Sequence, residues 1–285
     1  MKKIFSLALI TVLLASCGGT AEKQPEKKKE AMRIVSLGGT LTEIVYALGE
    51  EKQLVAVDVT STYPEAASAL TNLGHASGIS AESILGSNPT HVIGFTNELK
   101  PELISQLKNA KIEVVLFDQE YSVSGAKKII SEVAKWLEKE EAGKKLTDQI
   151  DADIKGLAKL KSKPAVLFVY ARGAGAMMVA GDDTQMEKII EIAGGKNAVS
   201  GFNEFKPLTP ESVIAANPDL LLMFESGAQS LNGEAGMLEI PGMKMTTAGK
   251  KKQLLSMDGL LLSGFGPRVG QALIILNNKL QAITE

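Results

Sequence analysis

The chain has 285 residues and a formal net charge of −2, with 45% apolar and 22% charged residues. That length suits one large domain or two lobes, and that composition suits a soluble globular protein with a sizeable core. A near-neutral charge balance leaves no basic excess to neutralise phosphates, which argues against nucleic acid as the main partner.

The first element predicted is not part of the fold. Met1-Lys2-Lys3 is a positive start, and IFSLALITVLLAS is an apolar run of about thirteen residues, which fits a signal peptide better than a membrane span of about twenty. The run ends in Leu14-Ala15-Ser16-Cys17, which resembles the lipobox of bacterial lipoproteins; that resemblance makes 1–16 a lipoprotein signal peptide and Cys17 the lipidated residue. An ordinary cleaved secretory peptide is the plainer alternative. Cys17 is the only cysteine, so no intramolecular disulfide can form. Residues 17–31 are polar, charged and Pro-containing, and read as a disordered tether whose KKK run serves solvation.

Strand and helix patterns then alternate. MRIVSLGG is a strand ending in glycines, TLTEIVYALG a helix, QLVAVDV a strand, SAESILGSN a short helix and THVIGF a third strand. NELKPELISQLKNAK is a helix and IEVVLFD a fourth strand. From Ser122 the pattern is helical without an internal proline: one helix to about Glu138, then a second over 139–161 that would reach about 35 Å at 1.5 Å per residue. The alternation restarts with AVLFVYA (strand), TQMEKIIEIAG and TPESVIAAN (helices), DLLLMF (strand), a Gly-rich segment, QLLSMD (strand) and a helix from about Pro267 to Ile283. The expected fold is α/β: two Rossmann-like lobes with mainly parallel central sheets, 32–138 and 162–285, joined by one long connecting helix, 139–161.

One stretch occurs twice. SAESILGSNP at 80–89 returns as TPESVIAANP at 209–218, followed by THVIGF and DLLLMF respectively. Asn-Pro after a short helix stops the helix and biases the Asn toward extended backbone, so a helix-to-strand joint used twice would explain most of the repeat. It would not require Glu82 and Glu211 at matching positions, although a carboxylate near a helix start is also favoured by the helix dipole.

Together these residues resemble the two-lobed substrate-binding proteins of bacterial ABC importers that carry siderophores, vitamin B12 or haem, over essentially the whole chain after the tether. The resemblance implies that Glu82 and Glu211 dock onto Arg pockets of a permease dimer with its ATPase. It also implies an extracytoplasmic protein, in the periplasm or at the cell surface, held to a membrane by its lipid anchor. RIVSLGGTLTEIVYALG, DVTSTYPEAASALTNLGHASGISAESIL, VLFVYARGAGAMMVAG and LLLSGFGPR look like the haem-binding members. In those, the Tyr of the S-T-x-Y-P-like segment ligates haem iron; here it is Tyr63, and haem b is the implied cargo.

A tyrosine phenolate is a competent donor to ferric haem, and a nearby Arg favours the deprotonated form. Arg172 is a candidate to support the phenolate or meet a propionate, and Arg268, near a helix start, is a second propionate candidate. Either could instead sit in a surface ion pair. His75 could be a second axial ligand, a propionate contact or a loop residue; His91, the other histidine, begins an apolar strand. The chain departs from the haem binders at Ser77, where they often have Arg, and at Arg172, where some have His. GAGAMMVAG lacks the spacing of a nucleotide loop, and methionines in apolar segments serve mostly as core.

Three alternatives compete with haem. A corrinoid such as vitamin B12 or a ferric siderophore would keep the fold, though a siderophore site wants several Arg, Tyr and Trp and the chain has one Trp. An extracytoplasmic enzyme lacks support, because neither H-E-x-x-H nor G-x-S-x-G occurs. A zinc or manganese binder would need more than two scattered histidines.

Overall fold

A computed structural model describes residues 31–285; the predicted signal peptide, Cys17 and nearly all of the tether lie outside the described residues. The first sheet takes β1 (Ile34–Leu37), β2 (Leu54–Val57), β3 (Thr71–Asn72), β4 (His91–Phe95) and β5 (Glu113–Phe117), in the order β3-β2-β1-β4-β5, all parallel. The central strands IVSL and HVIGF are almost wholly buried, as parallel strands covered on both faces must be. The helices accompanying this sheet are α1 (Gly39–Ala47), α2 (Ala81–Gly86), α3 (Pro101–Asn109) and α4 (Val123–Trp136).

The second sheet takes β6 (Ala165–Ala171), β7 (Met177–Ala180), β8 (Lys196–Asn197), β9 (Phe205–Pro207), β10 (Leu220–Phe224) and β11 (Leu254–Met257). Its order is β11-β10-β6-β7-β9, with β8 beside the start of β6. β11, β10, β6 and β8 run parallel, whereas β7 is antiparallel to both β6 and β9. Sequence pattern did not reveal β7 and β9: MMVA and FKP are short antiparallel pieces, β7 between β6 and β9 and β9 at the edge, whose pairing is decided by the β6–β7 hairpin and not by their own periodicity. The Gly-rich segment resolves into α8 (Glu225–Ser230), α9 (Glu234–Leu238) and α10 (Thr247–Lys251); α6 (Gln185–Ile192), α7 (Pro210–Ala216), α11 (Gly259–Ser263) and α12 (Val269–Thr284) complete this half.

The long connecting helix is not observed. α5 spans Glu140–Lys155, 16 residues or about 24 Å, and stops at Gly156, leaving 156–164 to lead into β6 as non-helical chain. Its start agrees with the expected break: Glu138 takes φ 59° and ends α4. α5 packs on α4 on one side and α12 on the other. A glycine sits at each contact. A Cβ on Gly143 would lie 2.4 Å from the Ala134 Cβ, and one on Gly270 would lie 2.4 Å from Asp153 Oδ2, so neither helix could approach α5 this closely with a larger residue there. Met32–Glu285 thus form one compact unit with two sheets. Among the described residues no helix is long and apolar enough to cross a membrane.

Candidate functional site

In open parallel sheets, ligands bind beyond the carboxyl ends of the strands. Each residue of interest follows such an end: Tyr63 lies in the segment after β2, Arg172 after β6, Glu225 after β10 and Asp258 after β11. A cavity of about 410 Å³ lies between the two sheets' loop ends, lined by Thr60 and Thr62 from the first half and by Phe224, Glu225, Asp258 and Leu260 from the second.

The segment carrying Tyr63 is held by short polar side chains. Buried Asp58 accepts hydrogen bonds from Thr60 Oγ1 (2.6 Å) and Ser61 Oγ (2.8 Å). Thr60 Oγ1 in turn accepts from the Gly39 N–H at 2.8 Å, and Ser61 Oγ meets Thr42 Oγ1 at 2.7 Å. A buried carboxylate must be partnered, so this network ties the loop to the start of α1. Tyr63, joined to Pro64 by a cis peptide, is left 42% exposed.

Arg268 covers the Tyr63 ring, with Cζ 3.5 Å from the ring centroid. It is the N-cap of α12. Its Nε and Nη2 both donate to Glu43 of α1, to Oε1 and Oε2, at 2.9 Å each, and Asp258 stands 3.8 Å away. Glu43 is only 4% exposed. Burial pushes its carboxyl above the ordinary carboxylate range, against the lowering effect of Arg268. Nε and Nη2 of Arg268 are thus committed to Glu43, while its guanidinium carbon lies over the Tyr63 ring. A cavity of about 320 Å³ adjoins this cluster, lined by Tyr63, Pro64, Tyr46, Gln149 and Gln271 along with the ion pair.

Arg172 belongs to a different wall. It is exposed, and its Nε donates to the Tyr170 hydroxyl at 2.5 Å. The pair lines a cavity of about 490 Å³ with Met177, Met178 and Pro207. Tyr170 meets Phe224 edge to face at 6.1 Å, and Phe224 lines the interlobe cavity, so the two spaces share a wall. Sequence reasoning missed Tyr170; the available signal was Tyr170 and Arg172 two apart on one strand end, hence on one face. It also missed Glu43, which helical spacing alone places on α1 but does not pair.

The histidines do not join these groups. His75 is exposed at the start of the 3-10 turn Ala76–Gly78 and lines none of the three cavities. His91 Nδ1 lies 2.7 Å from Thr90 Oγ1 and its Nε2 lies 3.2 Å from Glu113, so both ring nitrogens are engaged.

The repeated stretch folds twice in the same way. Ser80 accepts from the Ser83 N–H, and Thr209 from the Ser212 N–H, both at 3.1 Å. Ser83 and Ser212 each return a hydroxyl to the capping residue's carbonyl at 2.8 Å. These bonds explain the repeated serines but not the glutamates: Glu82 and Glu211 are exposed, second in α2 and α7, and neither carboxylate has a hydrogen-bond or ion-pair partner among the described residues. The expected extended backbone before each proline is corrected. Asn88 and Asn217 take φ 51° and 38°, a left-handed end that asparagine tolerates and that closes each helix.

The sequence pattern of the periplasmic binding protein family matches residues 34–260. The chain belongs to that family. Membership places it outside the cytoplasm, among the substrate-binding components of ABC importers. It is similar to the periplasmic heme-binding protein RhuT from Roseiflexus sp. RS-1: 39% identical, covering 90% of this chain and all of that one, TM-score 0.84. It is also similar to the heme-binding protein BhuT, solved with two hemes (34% identical, 89% and 99% covered, TM-score 0.82). Against the Vibrio cholerae heme-binding protein HutB it is 32% identical, with 87% and 98% covered and a TM-score of 0.78. Among curated relatives, a vitamin B12-binding protein of Vibrio campbellii is 26% identical over 67% of this chain and 70% of that one. An uncharacterized ABC transporter substrate-binding lipoprotein of Bacillus subtilis is 24% identical over 93% and 91%.

Proposed function

We propose that this chain binds haem b in the cleft between its two lobes and delivers it to an ABC permease for import. The observation that carries this reading is the half-exposed Tyr63 phenol set against the largely covered guanidinium of Arg268, the two lining the cavity of about 320 Å³ together. A tyrosine oxygen is a competent axial donor to ferric iron. The similarity to three heme-binding proteins at 32–39% identity supports the same cargo.

In this reading Tyr63 is the axial ligand and Arg268 supports it. Arg172, placed by Tyr170 on the opposite wall, meets the cargo's edge or a propionate. His75, exposed and outside the three cavities, has no part as a ligand. Glu82 and Glu211, presented by two equally capped helices, dock onto cationic sites of a two-fold permease dimer with its ATPase. Cys17 anchors the chain to the membrane through lipid, as the name of the Bacillus relative also suggests. A corrinoid is the second reading, favoured by the vitamin B12-binding relatives.

The test is titration of the untethered domain with hemin, followed by absorbance, beside a Tyr63→Ala variant and a parallel titration with cobalamin. A saturable spectrum with a tyrosinate-to-iron charge-transfer band, lost in the variant, is the expected result. Hemin binding that survives the substitution would move the ligand elsewhere. Saturable cobalamin binding without hemin binding would replace haem with a corrinoid.

A further inference from the structure

Glu43 has no obvious reason to be where it is. It lies on α1 among buried Leu41, Ile44 and Val45, and is itself 4% exposed. A carboxylate in such a place costs free energy unless it is paired, and an apolar residue of similar size would serve the core as well. Its partner comes from 225 residues further on, at the head of α12, and engages it through two N–H groups at equal distances of 2.9 Å. That two-point contact fixes the plane of the guanidinium as well as its position. The plane so fixed is the one that meets Tyr63 at 3.5 Å.

We infer that Glu43 is a positioning residue for Tyr63: by gripping Arg268 at two points it holds the guanidinium against the phenol ring, and so determines how firmly Tyr63 keeps a bound metal porphyrin. An arginine without such a grip would have several rotatable bonds to order each time it stacked on the ring; with Glu43 that entropy is spent on folding instead of on binding. The contact also joins three separate elements, α1, the segment after β2 and the head of α12, so the phenol is oriented by both halves of the molecule.

The inference rests on Tyr63 as a haem ligand, and two readouts keep it separable from that reading. The first is the rate of hemin transfer to excess apomyoglobin. The second uses the ligand-free chain: the rate of Tyr63 nitration by tetranitromethane, followed by peptide mass spectrometry. Glu43→Ala and Arg268→Ala should each raise hemin transfer about tenfold, within the coupling expected of contacting groups. Each should also speed nitration. The double variant should be no faster than Arg268→Ala alone, because Glu43 acts only through Arg268. Glu43→Gln keeps the volume and one acceptor, and should fall between wild type and Glu43→Ala in both rates; it also serves if the alanine variant does not fold. Unchanged rates in the Glu43 variants, or single effects that multiply in the double, would overturn the inference. If the wild type fails to bind hemin, the functional reading falls, and the nitration series still decides whether Glu43 positions Tyr63.

Discussion

The molecule contains two tyrosine–arginine pairs, and they are built differently. Arg268 Cζ lies over the Tyr63 ring, 3.5 Å from its centroid, with the guanidinium sunk into the structure, 15% exposed, and gripped by a buried carboxylate. Tyr170 and Arg172 meet through one hydrogen bond at the mouth of a hairpin, the guanidinium carbon standing 5.5 Å from the ring centroid, with Arg172 exposed and Gly173, Ala174 and Gly175 beyond it. The first pair joins residues from both halves of the chain; the second is local to one strand. A preformed, fixed cation suits the orienting of a proposed axial ligand. An exposed and adjustable one suits contact with the rim of a ligand that must enter and leave.

Substitutions sharpen that contrast. Arg268→Ala leaves Glu43 buried without a partner, and breaking such a pair costs about 3–5 kcal/mol. Proton uptake by Glu43 limits the loss, so the denaturant midpoint should fall most at neutral pH and less in acid. Arg172→Ala should shift the same midpoint by less than about 0.5 kcal/mol, as exposed sites do. Equal losses at the two arginines would erase the distinction drawn here.

On binding, the expected order is the same. Tyr63→Ala should weaken hemin by at least about a hundredfold, beyond the roughly 10–100-fold typical when a supporting partner of a ligand is lost. Tyr170→Phe removes one hydroxyl and should weaken hemin by less than about tenfold. A titration in which Tyr170→Phe is the more damaging would exchange the roles of the two walls.

The smallest effect expected is in the pH dependence of stability. The folded state holds a proton on Glu43 more firmly than the unfolded chain does, because burial raises its pKa. The stability this gives is fully present below the ordinary carboxylate pKa, and is lost as pH rises from there through Glu43's raised value. Glu43→Gln should flatten that segment of the curve, whatever it does to the absolute stability. A slope unchanged by the substitution would mean that other groups produce it.

Much of the fold was legible because its central strands are buried on both faces. IVSL, HVIGF, AVLFVYA and LLLMF are near-continuous apolar runs between helices of clear period, and parallel pairing follows from the alternation. The end of α5 was not legible, since Leu157 continues the apolar spacing past the glycine that stops the helix. Neither were β7 and β9, whose pairing depends on a hairpin. At the site, local motif pointed to Tyr63, and the repeat pointed to Glu82 and Glu211, because those signals lie in contiguous residues. Arg268 was visible as a residue near a helix start but not as the cover of Tyr63, and Glu43 was not visible at all. The sequence by itself therefore determined the alternation of strand and helix in both halves, the repeated helix-to-strand joint and the Tyr-Pro motif, each through patterns legible within a few residues. Only the tertiary structure decided what stands behind that phenol: Glu43 and Arg268 are 225 residues apart, and nothing in local pattern can announce a pair made by the closure of one half of the chain upon the other.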